Sequence, residues 1–181
     1  MKIAIFGRMC SGKSTLCKYI QIYMENKYGV RIQKISFGSK IYDIAYELFG
    51  MKEKNRQLLQ DIGQKMREIN ENVFTEYTMN RYRGENVIIE DCRLLSEFRV
   101  LKNEGYILIR IHISDYLQRE RLMKCYGDSF EEHLLRLNHR SETEMMELSN
   151  DEFDLVLLAE DGENNNKIVE NYLDIKWNEE K

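Results

Sequence analysis

The chain has 181 residues and a formal net charge of −4, so it lacks the overall positive field that attracts nucleic acid or an anionic membrane. This length predicts one domain, residues 1–181, with a core of substantial size. No segment approaches the roughly 18 apolar residues of a membrane span, and no leader pattern precedes the first apolar segment. The four cysteines lack Cys-x-x-Cys spacing, which indicates a reducing environment and neither a zinc site nor a disulfide framework. We therefore expect a cytoplasmic monomer or homodimer without nucleic-acid or membrane partners.

Short apolar segments alternate along the chain with longer stretches of helical periodicity. The predicted strands are 2–6, 31–36, 86–90, 106–113 and 153–158. The predicted helices are 13–28, 40–49, 53–69, 72–82, 94–103, 115–126, 129–138 and 164–176. Most of these strands are continuous apolar runs, as expected when both faces of a sheet are covered. The alternation predicts an α/β protein with a parallel sheet and ligands at the carboxyl ends of its strands.

Residues 7–15, the phosphate loop, join the first predicted strand to the first predicted helix and contain Gly-x-x-x-x-Gly-Lys-Ser. Its glycines let the backbone wrap around a phosphate, so that N–H groups point inward beside the positive end of a helix. Lys13 is expected to reach the β and γ phosphates, and the Ser14 hydroxyl to ligate Mg²⁺. The sequence thus predicts that a nucleoside triphosphate is bound by the whole loop: Gly7, Arg8, Met9, Cys10, Ser11, Gly12, Lys13, Ser14 and Thr15. The alternative is an ordinary Gly-rich turn.

A polar helical insertion, residues 37–83, follows the second predicted strand. A phosphate-transfer enzyme needs an acceptor pocket opposite its phosphate loop, and inserted helices can supply one. The segment carries Lys40, Arg56, Arg67, Arg81 and Arg83. Most of these charges are expected on solvated helix faces, because a helix in water needs a polar side.

The third predicted strand ends in two carboxylates and an arginine, at residues 90–93. A carboxylate at such a strand end can hold Mg²⁺, usually through water, beside the loop serine. Asp91 is the carboxylate expected to hold Mg²⁺, because it lies just past the strand and is better placed than Glu90 to face the cleft. Arg93 is expected to bind a second phosphate in bidentate fashion. The alternative is a surface turn whose charges are merely solvated.

Residues 115–142 concentrate basic side chains between the last two predicted strands: Arg119, Arg121, Lys124, Arg136 and Arg140. We expect a lid that excludes water, with Arg121 and Arg140 serving the transferring phosphoryl group. Interspersed glutamates leave a charge-balanced surface helix pair as the alternative. The three histidines lack the spacing of a metal site.

Taken together, these features resemble the nucleoside monophosphate kinases, and most narrowly the phage-type deoxynucleoside monophosphate kinases. The most specific matches are Leu-Gln-x-Ile-Gly-x-x-x-Arg-Glu at 59–68 and Ile-Ile-Glu-Asp-Cys-Arg-x-x-x-Glu at 88–97. Shorter matches at 36–50, 139–142 and 153–156 extend the likeness over most of the chain. The resemblance implies the P-loop NTPase fold, a three-layer α/β sandwich with a five-stranded parallel sheet and helices on both faces. It also implies the acceptor-binding insertion and the lid.

The resemblance further implies roles for individual residues. Lys13 and Ser14 would serve ATP and Mg²⁺, and Asp91 would support the metal. The acceptor monophosphate would be held by Arg67 and Arg93. The other substrate-site residues would be Phe37, Glu97, His139 and Glu142, the last two bordering the lid. The chain departs from the family at 38–42, where members carry Asp-Pro-Leu-Lys, and in a longer stretch before His139, so base preference does not transfer.

The leading interpretation is an ATP- and Mg²⁺-dependent kinase that phosphorylates a nucleoside or deoxynucleoside monophosphate. The enzyme alternatives are dephospho-coenzyme A kinase and phosphomevalonate kinase. The alternative from another class is a nucleotide-binding switch, which should present a water-positioning residue and loops ordered by the γ-phosphate. The arginine-rich acceptor and lid segments favour transfer over signalling.

Overall fold

The computed structural model describes residues 1–137 and 147–179. Five parallel strands form one sheet in the order β2-β3-β1-β4-β5. They are β1 (Lys2–Gly7), β2 (Gln33–Ile35), β3 (Val87–Ile89), β4 (Ile107–His112) and β5 (Leu155–Leu158). In the central strand, Ala4 lies opposite Ile89 on one side and Leu108 on the other. Because all strands run the same way, their carboxyl ends meet at one edge of the sheet.

Helices precede or follow each strand in the described residues. They are α1 (Lys13–Tyr28), α2 (Ser39–Phe49), α3 (Arg56–Ile69), α4 (Val73–Arg81), α5 (Leu95–Asn103), α6 (Asp115–Tyr126), α7 (Phe130–Arg136) and α8 (Gly162–Glu179). Short 3₁₀ turns lie at Gly127–Ser129 and Asn150–Glu152. The predicted strands and helices are confirmed, with ends that differ by a few residues. No helix in the described ranges is long and apolar enough to cross a membrane.

The core consists of two apolar layers, one on each face of the sheet, because successive side chains of a strand point to opposite faces. Ile3 and Ile5 of β1 belong to the layer that holds α1 and α8. Ala4 and Phe6 belong to the layer beneath α5. Strand β1 is therefore covered on both sides, and the molecule is the three-layer sandwich that its continuous apolar runs predict.

Strand β5 begins later than predicted, at Leu155 instead of residue 153. Phe153 leaves the ladder and packs into the core, with its ring centroid 5.4 Å from that of Phe6. The Asp154 carboxylate accepts a hydrogen bond of 2.7 Å from the Leu108 N–H. A side chain thus satisfies a backbone donor of β4 that a longer β5 would otherwise have paired.

Candidate active site

The phosphate loop follows β1 and makes a turn that only glycine permits at residue 7. A Cβ added at Gly7 would lie 2.6 Å from Ser11 Oγ and 2.8 Å from the Ile111 carbonyl oxygen. Further along the loop, Cys10 and Gly12 have φ angles of 62° and 104°, in the left-handed region. Left-handed residues within such a turn bring successive N–H groups to one concave side, which is an anion-binding geometry.

The beginning of α1 fits a phosphate. Its N-cap is Gly12, which has no side chain to cap the first N–H groups of the helix, and the first turn contains no acidic residue. The hydroxyl of Ser11 is buried and has no hydrogen-bond partner within the described residues. The Lys13 ammonium donates to the carbonyls of Gly7 (2.7 Å) and Arg8 (2.8 Å), which holds it across the loop. Unfilled donors, a helix N-terminus and a lysine together match the charge of a nucleotide's phosphates.

Glu90, and not the expected Asp91, is the carboxylate that contacts the phosphate loop. The Ser14 hydroxyl donates to Glu90 Oε1 over 3.1 Å, and Lys34 also pairs with this oxygen. The second carboxylate oxygen, Oε2, is buried without a partner in the described part of the chain. A serine hydroxyl beside an unfilled carboxylate oxygen suits a divalent cation that also binds phosphates.

The alternation of side chains along β3 explains this correction. Ile88 belongs to the apolar layer of α1, and Ile89 belongs to the opposite layer. Glu90 continues the face of Ile88, toward the first turn of α1 with Ser14. Asp91 continues the face of Ile89. Because Asp91 is one residue beyond Glu90, its side chain lies on the opposite face of the sheet, away from Ser14.

Asp91 instead fixes the turn between β2 and α2. Its carboxylate accepts hydrogen bonds from the Ser36 hydroxyl (2.5 Å) and from the N–H groups of Phe37 (3.2 Å) and Gly38 (3.0 Å). Three donors on one carboxylate hold this turn in a single geometry. Ser36 is a positioning residue that sequence reasoning missed.

Helix α6, the first part of the predicted lid, is attached to the phosphate loop by side chains spaced three residues apart. Gln118 donates to the Met9 carbonyl (2.9 Å), and Arg121 donates to the Cys10 carbonyl (3.1 Å). The other terminal nitrogen of Arg121 reaches the Ala159 carbonyl, after β5, over 2.8 Å. Arg121, which the sequence assigns to the transferring phosphoryl group, therefore contacts the phosphate loop. Gln118 was missed because its contact with the loop depends on tertiary packing.

A cavity of about 780 Å³, the loop cavity, lies over the phosphate loop. One wall is the inner face of α6 with Arg121, Cys125 and Tyr126. The facing wall follows β5 and includes Ala159 and Asn165, whose amide donates to the Leu158 carbonyl over 2.6 Å. The volume is in the range of small-ligand sites and suits a nucleotide.

A second cavity of about 840 Å³, the arginine cavity, lies at the ends of β2 and β3. Its lining includes five predicted site residues: Phe37, Arg67, Asp91, Arg93 and Glu97. The Arg67 guanidinium lies 5.2 Å from the centre of the Phe74 ring. One of its terminal nitrogens is 3.8 Å from Glu97 Oε1. These contacts orient Arg67. The fold brings it together with Phe37 of the β2–α2 turn and Glu97 of α5, which are 60 positions apart in the sequence.

Glu97 and Phe37 shape the arginine cavity mainly from inside the protein. Only 4% of Glu97 is exposed, and its Oε2 accepts the N–H groups of Arg93 (2.8 Å) and Leu94 (3.1 Å). Burial raises the pKa of the Glu97 carboxyl, and the two N–H donors oppose that shift. Phe37 is 1% exposed and belongs to the core layer of α5. Both residues are better placed to support the cavity than to contact a ligand over a large area.

The predicted residues His139, Arg140 and Glu142 lie outside the described residues. Within the described ranges, no group of three or more His, Cys, Asp or Glu side chains is arranged to hold a metal ion.

Comparisons with known proteins establish the fold and leave the family open. No family model and no curated protein sequence matches the chain. The structure is similar to shikimate kinase from Bacteroides thetaiotaomicron, with 16% identity, a TM-score of 0.56, and coverage of 96% of this chain and 98% of that one. An uncharacterized protein from Eubacterium ventriosum gives 15% identity, a TM-score of 0.54 and the same coverage. The chain therefore has the P-loop kinase fold, and the fold prediction is confirmed.

Proposed function

We propose that this protein is an ATP- and Mg²⁺-dependent kinase that converts a nucleoside 5′-monophosphate, preferentially a 2′-deoxynucleotide, into the diphosphate. The observation that carries the proposal is the end of β3. There Glu90 contacts Ser14 on the side of the loop cavity, and the next residue, Asp91, binds the turn at the arginine cavity. A donor and an acceptor bound in these cavities would face each other across one strand end, as direct phosphoryl transfer requires.

On the donor side, the loop N–H groups and the start of α1 would bind the phosphates of ATP. The Lys13 ammonium would exchange its hydrogen bonds to the loop carbonyls for hydrogen bonds to phosphate oxygens, since it already lies across the loop. Mg²⁺ would be held, directly or through water, by the Ser14 hydroxyl and by Glu90 Oε2, which is buried and has no hydrogen-bond partner among the described residues. When bound, Mg²⁺ neutralises charge on the phosphate oxygens.

On the acceptor side, two guanidinium groups line one cavity, which favours an acceptor that carries a phosphate. Arg67 projects from α3, and Arg93 lies immediately before α5. The two segments that most resemble the deoxynucleoside monophosphate kinases, 59–68 and 88–97, both contribute to the lining of this cavity. This agreement supports a nucleotide acceptor. A cavity wall close to the sugar would disfavour ribose by leaving its 2′-hydroxyl unpaired, a cost of about 1–3 kcal/mol.

The proposed mechanism needs no covalent intermediate. The loop would fix the donor, and the arginines would fix the acceptor phosphate. One oxygen of that phosphate would attack the γ-phosphorus in line while the bond to the β–γ bridging oxygen breaks and ADP leaves. Arg121 links the loop to the segment after β5, so it holds the loop cavity together on the side opposite Glu90.

A coupled assay of ADP release over an acceptor panel tests the proposal. The panel contains deoxy- and ribonucleoside monophosphates, dephospho-coenzyme A, phosphomevalonate and shikimate, with no acceptor as the control. We expect fastest turnover with a 2′-deoxynucleotide. Equal turnover of ribonucleotides would make the protein a general monophosphate kinase. If only a non-nucleotide acceptor were phosphorylated, the nucleotide acceptor would be overturned and another kinase activity favoured. If ATP were hydrolysed at a rate that no acceptor increases, the nucleotide acceptor would also be overturned and a nucleotide-binding switch favoured.

Glu90→Gln and Asp91→Asn form a matched pair that separates the two carboxylates. Glu90→Gln should raise the Mg²⁺ concentration for half-maximal rate by about tenfold, because it removes charge beside Ser14. Asp91→Asn should instead raise the acceptor KM, because its carboxylate shapes the arginine cavity. Mg²⁺ titrations and acceptor titrations of both variants check this. The reverse pattern would return the metal role to Asp91.

Hydrogen exchange tests the proposed lid. The start of α6 is already tied to the loop by Gln118 and Arg121. We therefore expect a modest gain in protection there on binding a bisubstrate analogue, and a larger gain over 127–137, while β1 and β4 barely change. Exchange over 115–137 that the analogue leaves unchanged would identify a rigid surface hairpin.

A further inference from the structure

Two of the four cysteines meet at the loop cavity although they are 115 positions apart. Cys10 is the residue of the phosphate loop that is left-handed without being glycine, and Cys125 lies in the last turn of α6. Both line the cavity, and Cys125 lies near enough to the Cys10 thiol to help raise its pKa. Neither is in a disulfide in this structure. Their proximity is a tertiary feature that the spacing of the cysteines does not reveal.

The packing of α6 accounts for this meeting. Arg121 donates to the Cys10 carbonyl over 3.1 Å, which fixes one turn of α6 directly against residue 10. Cys125 follows Arg121 by four residues, so the two side chains lie on the same face of the helix. The Arg121 contact therefore brings the Cys125 side chain toward the loop. The other two cysteines, Cys17 and Cys92, are buried in the core.

We propose that Cys10 and Cys125 form a reversible disulfide under peroxide, and that this bond closes the loop cavity to nucleotide. The inference rests on the proposed function for the identity of the ligand. A disulfide shortens the distance between the two sulfurs to about 2.05 Å and restricts the backbone on both sides. It would tie α6 to the loop at the residue whose conformation shapes the anion-binding turn.

The two thiols have different roles in the reaction. Burial, reinforced by the neighbouring Cys125, raises the pKa of the Cys10 thiol, so that little of it is thiolate at neutral pH. Cys125 is exposed and attacks first: its thiolate breaks the O–O bond of hydrogen peroxide, forming a sulfenic acid and hydroxide. Cys10 sulfur then attacks the Cys125 sulfur, the S–O bond breaks, and hydroxide leaves. Proton transfer gives two waters for each peroxide reduced, and the two thiols are oxidised to one disulfide.

Peptide mapping tests the bond without nucleotide. After peroxide treatment, blocking of free thiols and trypsin digestion, residues 9–13 and 125–136 should appear as one linked species that dithiothreitol separates. A Cys17→Ala/Cys92→Ala variant, which keeps the pair, should give the same linkage. Cys125→Ser should give none. Unlinked peptides, or a bond between two molecules through the exposed Cys125, would overturn the inference.

Calorimetric titration with MgATP tests the consequence. Oxidation should weaken MgATP binding by about tenfold or more in the wild type and in the variant that keeps the pair. Dithiothreitol should restore it, and in Cys125→Ser the ratio of affinities before and after peroxide should stay near one. A linked protein that binds MgATP as tightly as the reduced one would overturn the inference. Failure of the reduced protein to bind MgATP would instead count against the proposed function.

Discussion

Lys13→Ala should reduce kcat by about a hundredfold or more, because the variant lacks the ammonium that meets charge developing on the phosphoryl group. In the structure this ammonium bridges the carbonyls of Gly7 and Arg8, above the turn that the phosphates would occupy. The side chain contributes nothing to the apolar layers of the core. The fold should therefore survive, as circular dichroism and the melting temperature can verify.

Lys18→Ala provides the matched control for this variant. Lys18 is also on α1, is exposed, and is not among the residues that line the loop cavity, so its removal should leave kcat nearly unchanged. Steady-state ADP release with the best acceptor measures both variants. If Lys13→Ala kept more than about a tenth of the wild-type kcat, its contribution would be below 1.4 kcal/mol and a transition-state role would be wrong.

Arg67→Ala and Arg93→Ala should each lower kcat/KM for the acceptor by roughly tenfold to a hundredfold, while the KM for ATP changes little. A charge-assisted contact to a phosphate contributes about 1.5–3 kcal/mol, which corresponds to this range. Both side chains line the arginine cavity and neither lines the loop cavity. An effect confined to the KM for ATP would instead assign them to the donor.

Arg67 requires an additional variant, because it also lies over Phe74 and near the buried Glu97. Its removal takes a cationic neighbour away from that buried carboxylate, so part of the effect of Arg67→Ala would be structural. Arg67→Lys keeps the charge and loses the fork geometry, and should recover stability more fully than kcat/KM. Arg56→Ala, at the exposed start of α3 and outside the cavity lining, is the control and should change neither quantity. Equal, small effects in all four variants would place these arginines on a solvated face.

Helix α3, which carries Arg67, shows which features of the acceptor site a local sequence pattern can predict and which it cannot. Helix α3 could be predicted from its periodicity, since its apolar stripe is set by neighbours three and four residues apart. Position on that helix does not by itself distinguish Arg67 from Arg56. The resemblance singled out Arg67, and the structure places it in the arginine cavity with Glu97. That grouping depends on how α3 and α5 pack around the ends of β2 and β3.

What the sequence determined by itself is local: the phosphate loop, the strands and helices, and hence the parallel sheet with its ligand edge. These follow from glycine geometry and from periodicities within a few residues, which act before any distant contact forms. Only the tertiary structure decided that Glu90 faces Ser14, that Gln118 holds the Met9 carbonyl, and that Cys125 meets Cys10. Each of these depends on which face of an element is buried and on which element it is packed against. The physical reason is that a shift of one residue along β3 reverses the face, while the local pattern of charges remains the same.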